Sequence, residues 1–98
     1  MASDGSGLNV HWRVRGRVQG VGYRWFVREA ALRSGVRGAV RNLDDGSVEV
    51  RACGADEALE RLRRAVERGP RGSRVDAVDD LDADDGSESG HTSFTIRS

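Results

Sequence analysis

The chain has no lysine; all 16 of its basic residues are arginine. That absence excludes a Walker-type phosphate loop, a lysine Schiff base and a lysine general base. Cysteine occurs once, as Cys53, so an intrachain disulfide is excluded and a reducing, cytoplasmic setting is expected. One cysteine and two histidines far apart in sequence, His11 and His91, are too few and too scattered for a zinc site. Both histidines are expected at the surface, and Cys53 as a small core residue. No apolar run approaches the roughly 18 residues of a membrane span. The opening MASDGSGLN has neither the basic nor the apolar region of a signal peptide, and residues 1–8 read as a short flexible arm. What remains, residues 9–98, suits a single domain with one core between two packed layers.

The formal charge sums to zero, but the signs are segregated. From Arg13 to Arg41 there are eight arginines against one acid, Glu29, whereas Asp76 to Glu88 holds seven acids and no base. Two solvated faces that complement each other are expected; a basic half that draws in a small anion is the sharper reading.

Hydrophobic periodicity orders the elements. VHWRVRGRV (10–18) alternates strictly, with Val10, Trp12 and Val14 on a covered face and His11, Arg13, Arg15 and Arg17 on a wet one. From Tyr23 the spacing becomes helical through Phe26, Val27, Ala30, Ala31 and Ser34, and Gly35 supplies a stop. VRGAVRNLDDGSVEVRAC (36–53) reads as a hairpin about Asp45-Gly46. ADEALERLRRAVERGP is a second helix, with Asp56 and Glu57 in its first turn, an apolar stripe of Leu59, Leu62 and Val66, and Gly69-Pro70 as terminator. RVDAVDDL (74–81) is a strand, 82–90 an acidic turn region, and HTSFTIRS (91–98) a last short strand with Phe94 and Ile96 on one face. The order βαββαβ, plus a terminal strand, predicts an α+β ferredoxin-like sandwich: an antiparallel sheet with both helices on one face.

Between the first strand and first helix lies GRVQGVGYRWF (16–26), with Gly16, Gly20 and Gly22. A strand-to-helix turn aims several backbone N–H groups, and the positive end of the helix dipole, at one spot. Glycines let an anion approach those groups, and Arg24 can fold back to donate two parallel hydrogen bonds. Such a loop is a phosphate cradle. It is not a dinucleotide fingerprint, because GVGYRW places Trp25 where the third glycine is needed. Trp25 also falls off the main apolar stripe, whereas Tyr23 and Phe26 are expected in the core.

GRVQGVGYR, followed by VRNLDDGSVEV and GPRGSRVD, resembles the acylphosphatase family over roughly residues 9 to 98. The resemblance implies that the loop Gln19, Gly20, Val21, Gly22, Tyr23 and Arg24 binds phosphate through its amides. It implies that Arg24 grips the phosphoryl oxygens and that Asn42 positions the attacking water. It further implies a small-molecule acyl phosphate as substrate, inorganic phosphate as product, no metal, no cofactor and no phosphoenzyme. A monomer is expected, with neither nucleic acid nor membrane as partner. This chain departs from the family in carrying Ala39 where a bulky aromatic often stands, and in the density of Asp over 79–85.

The chemistry is consistent with so spare a set of residues. Without lysine, a metal-ligand cluster or a Ser-His pair, an unactivated phosphate monoester is a poor target. A carboxylic–phosphoric anhydride already has a good leaving group, so positioning and charge stabilisation suffice. The alternative is a non-catalytic anion- or RNA-binding module using Arg13, Arg15 and Arg41 on the wet sheet face. Against it stand the zero net charge and the assignment of Trp12 to the covered face, which leaves no aromatic platform for base stacking.

Overall fold

β1 (Leu8–Arg17) has a hydrogen-bonded neighbour on each side, so it is an interior strand of its sheet. In the computed structural model, which describes residues 8–82 and 93–97, β1 lies between β4 (Arg74–Leu81) and β3 (Val48–Gly54). The full order is β4-β1-β3-β2-β5, with β2 at Arg37–Asn42 and β5 at Phe94–Arg97. Leu8, read from sequence as part of the arm, already pairs with Gly54 in the β1–β3 ladder. Gly16, read as a loop glycine, belongs to β1 beside the irregularity in its pairing with β4.

The sheet is antiparallel except at one edge. β5 runs parallel to β2, pairing Gly38 with Phe94 and Val40 with Ile96. This corrects the all-antiparallel expectation. β4 lies at one edge of the sheet and β5 at the other; the ladders set β4 and β2 in opposite directions, and β5 runs with β2.

Both helices cover one face of this sheet. α1 (Tyr23–Ser34) ends on Gly35, which takes a left-handed conformation and returns N–H bonds to the last turn. α2 (Asp56–Arg68) has Asp56 and Glu57 at the positive end of its dipole and Arg68 in its last turn. Tyr23, Val27 and Ala31 of α1 and Leu59, Leu62 and Val66 of α2 meet Trp12, Val14, Val40, Val48, Val50 and Phe94 in one core. Trp12 is only 3% exposed, so the sheet offers no aromatic platform at this position. Phe26 packs against the core as a half-buried residue, and Cys53 is buried.

The opposite face of the sheet is polar yet partly closed. His11, expected at the surface, is 9% exposed. Its Nε2 lies 2.7 Å from Glu49 Oε2 and its Nδ1 3.1 Å from the backbone oxygen of Asp82. Arg41 Nε donates to Glu49 Oε1 at 2.6 Å, so long cross-strand side chains close over the imidazole. A wet-face position on a central strand is thereby buried by its neighbours. His91 and most of the acidic 82–90 region lie outside the described residues. Within them the charges complement each other through strand adjacency: Arg15 of β1 forks onto Asp79 of β4 at 2.7 and 3.1 Å, and Arg63 of α2 reaches Asp80 at 2.8 Å.

Candidate active site

The connection from β1 to α1 is anchored at both ends by buried side chains, Val18 before it and Tyr23 after it. Val21 packs half-buried against the core between them. Gly20 and Gly22 have φ of 77° and 76°, a left-handed backbone that glycine adopts without strain. A Cβ on either would meet nothing within 4 Å, so the backbone angle, not crowding, calls for glycine here and the space over the loop is open. Gly22 is also the N-cap of α1, and its oxygen accepts the first intrahelical bond from the Phe26 N–H at 3.0 Å. The first turn of α1 contains no acidic residue to offset the positive end of its dipole.

Over this loop is a hollow of about 190 Å³. Gly20, Gly22, Arg24 and Asn42 line its polar side, and Val18, Tyr23, Trp25 and Ile96 complete the wall. Arg24 and Asn42, 18 positions apart in the chain, are thus brought to one cavity. Arg24, in the first turn of α1, donates from Nη1 to the backbone oxygen of Arg97 at 2.9 Å, which ties its guanidinium to the end of β5. Asn42 is the last residue of β2. Its Oδ1 is buried, and no hydrogen-bond donor among the described residues reaches it. A buried acceptor left without a protein partner is costly; Asn9 Oδ1 and Arg13 Nε share that condition outside the hollow.

Gln19 and Val21 are not in the wall of the hollow. Gln19 instead donates from Nε2 to the backbone oxygens of Leu43 and Ser47, at 2.8 and 2.9 Å, fastening the loop to the β2–β3 turn. That turn is set by Asp45, whose Oδ1 accepts from the Ser47 N–H at 2.9 Å and from the Ser47 hydroxyl. These bonds hold the Asp45 carboxyl below its usual range. Tyr23 buries its ring and donates its hydroxyl to the Val66 oxygen at 2.7 Å, bolting α1 to α2. Burial pushes its phenol above the ordinary tyrosine range.

Sequence reasoning did not place Val18 or Ile96 in the site and left Trp25 open. Ile96 shares a face with Phe94, as its spacing indicates, but only the β2–β5 pairing brings it beside Asn42. Among the described residues no group of three or more His, Cys, Asp or Glu side chains could hold a metal ion. No described helix is long and apolar enough to cross a membrane.

A glycine loop at a helix N-terminus, an arginine and an asparagine thus share one cavity on an α+β sandwich. The sequence model of the acylphosphatase family matches residues 10–96. An acylphosphatase of Thermotoga petrophila is 41% identical over 85 residues, covering 87% of this chain and 91% of that protein. One from Aeromonas hydrophila is 52% identical over 58 residues, and there the chain spans 64% of the relative's length, just under two thirds. The crystal structure of acylphosphatase from Bacillus subtilis superposes with a TM-score of 0.79 at 37% identity, covering 92% of this chain and 98% of that one. The chain belongs to the acylphosphatase family.

Proposed function

We propose that the protein is an acylphosphatase: a hydrolase that cleaves the carboxyl–phosphate bond of acyl phosphates by direct in-line attack of water. The dianion RCO–OPO₃²⁻ and one water become RCOO⁻ and H₂PO₄⁻; the water oxygen bonds to phosphorus while the P–O bond to the acyl oxygen breaks. The carboxylate leaves as a stable anion, so no general acid is required. The amides around Gly20 and Gly22 and the Arg24 guanidinium hold the phosphoryl oxygens and meet the charge they carry in the transition state. The Asn42 carboxamide hydrogen-bonds the attacking water and aligns it; a carboxamide is too weakly basic to keep the proton, which stays with the phosphate product. Metal is not needed in this scheme, and the protein works as a cytoplasmic monomer.

The observation that carries this reading is the meeting of Arg24 and Asn42 on one hollow over the Gly20 and Gly22 loop. The test is hydrolysis of benzoyl phosphate by the purified protein in EDTA, alongside Arg24→Ala and Asn42→Ala. Turnover in the parent that vanishes in both variants supports the assignment. A folded parent without turnover would leave a binding module in its place.

A further inference from the structure

The described residues leave five large apolar side chains exposed, and two of them, Trp25 at 62% and Ile96 at 38%, line the hollow that holds Arg24 and Asn42. The fold does not require this of either. α1 buries its core face through Tyr23, Val27, Ala30 and Ala31, and Trp25 stands off that stripe. Phe94, two residues before Ile96 on the same strand face, is 1% exposed and meets the need of β5 for a core anchor. The chain has five aromatic residues in all and spends one of its two tryptophans on this exposed position.

The polar side of the hollow recognises a phosphoryl group and nothing more. A substrate R–CO–OPO₃²⁻ also brings its acyl group to the site, and that group must lie against whatever wall the phosphate ligands leave. Here the wall is an indole from the first turn of α1 and a branched aliphatic chain from β5. An indole face offers ring stacking and a large apolar area at little cost in side-chain entropy.

We propose that Trp25 and Ile96 form an acyl-group subsite, which selects acyl phosphates with flat or bulky apolar acyl groups over those with small or polar ones. The inference rests on the acyl phosphate reading above and names the substrate class within it. The exposed part of the apolar wall is two side chains bordered by Arg24 and Asn42, with Val18 and Tyr23 buried behind, which suits a group attached to a phosphate better than an extended partner surface.

The test compares kcat/KM for benzoyl phosphate and acetyl phosphate in the parent, Trp25→Ala, Trp25→Phe and Ile96→Ala. The benzoyl-to-acetyl ratio is expected to fall about tenfold in Trp25→Ala, equivalent to about 1.4 kcal/mol. A smaller fall is expected in Ile96→Ala, and near-parental selectivity in Trp25→Phe. Equal loss on both substrates, or an unchanged ratio, overturns the subsite while acetyl phosphate turnover still upholds the hydrolase. If the parent hydrolyses neither substrate, the hydrolase reading fails separately. The subsite is then decided by calorimetry: phenacylphosphonate must bind more tightly than methylphosphonate, and lose that advantage in Trp25→Ala.

Discussion

The side-chain amide of Gln19 donates to two backbone carbonyls at once, those of Leu43 and Ser47, at 2.8 and 2.9 Å. Gln19 precedes Gly20 in the β1–α1 loop, and Leu43 follows Asn42, so this one amide ties the proposed anion cradle to the strand end that carries the proposed water-holding residue. Gln19→Ala removes that fastening, while each carbonyl keeps a backbone donor: the Gly46 N–H on the Leu43 oxygen and the Leu43 N–H on the Ser47 oxygen. It is expected to lower kcat/KM on benzoyl phosphate ten- to a hundredfold, on the order of the loss that a small misplacement of reacting groups causes. Stability should fall by about 0.5–1.5 kcal/mol, because no carbonyl is left unsatisfied. Gln19→Glu is expected to be no better, because a carboxylate facing two carbonyls can only repel them. Steady-state kinetics beside urea unfolding checks both; activity within twofold of the parent would show that the loop holds its place without this amide.

Arg24 and Asn42 should separate when stability and binding are read together with turnover. Asn42→Ala deletes a buried acceptor that no described protein donor satisfies, so folding loses nothing and can gain up to roughly 1 kcal/mol. Turnover should nonetheless disappear, with the affinity for inorganic phosphate largely kept. Arg24→Ala should lose turnover and phosphate affinity together. Arg24→Lys should recover only a small part of either, since an ammonium cannot reproduce the planar fork. Calorimetric titration with phosphate and a thermal melt on each variant provide the comparison. Equal loss of phosphate affinity in both alanine variants would sink the division of labour.

Both helices were legible because their ends are marked chemically: Gly22 and Gly35 bracket α1, and Gly69-Pro70 closes α2. The hairpin was legible from Asp45-Gly46. What local pattern could not supply is strand order. FTIR announces a strand through its alternation, yet nothing in those four residues says that it joins the far edge, parallel to β2. The composition of the hollow depends on that edge, because Ile96 and the Arg97 carbonyl reach Asn42 and Arg24 only through β5. His11 was misread for a related reason. Its alternation places it correctly on the polar face, but its burial is decided by which long side chains stand on the adjacent strands. The loop sequence named Arg24 and the glycines; Asn42 came from the resemblance alone, since an asparagine near a turn has ordinary reasons to be there.

Tyr23 lies in the loop motif, yet its hydroxyl serves the core by bonding the Val66 carbonyl. Tyr23→Phe keeps the ring and strands that carbonyl, so about 1–2 kcal/mol of stability should be lost. For a domain of this size that corresponds to a fall in Tm of roughly 4–16 °C. The kcat on benzoyl phosphate at 25 °C should stay within about twofold, a ratio well under 1 kcal/mol in barrier. A large drop in kcat with no change in Tm would instead put the phenol in the chemistry.

Glu49 ties the open face of the sheet to acid stability. Burial alone would raise its carboxyl, but the hydrogen bonds from Arg41 and His11, with the charges of those groups, outweigh burial and hold it below its ordinary value of 4.5. A carboxyl lowered on folding stabilises the native state above its unfolded value, and that contribution is lost as pH falls through the lower native one. The parent should therefore hold its Glu49 contribution at pH 7 and pH 5 and lose it progressively below 4.5. Asp45 and Asp79 are lowered as well, by Ser47 and by Arg15 respectively, so other carboxylates share the acid limb. Glu49→Gln should be less stable than the parent at pH 7, because the pair Arg41 and His11 loses the negative charge and one of the two acceptor oxygens they share, an NH₂ donor standing in its place. The difference should narrow toward pH 3 as the parent's own carboxylate becomes protonated. Urea unfolding of both proteins at pH 7, 5, 4 and 3 measures this. Parallel stability curves across that range would mean that the carboxyl titrates alike in the folded and unfolded chain, and that the His11–Glu49–Arg41 contacts are not coupled to folding.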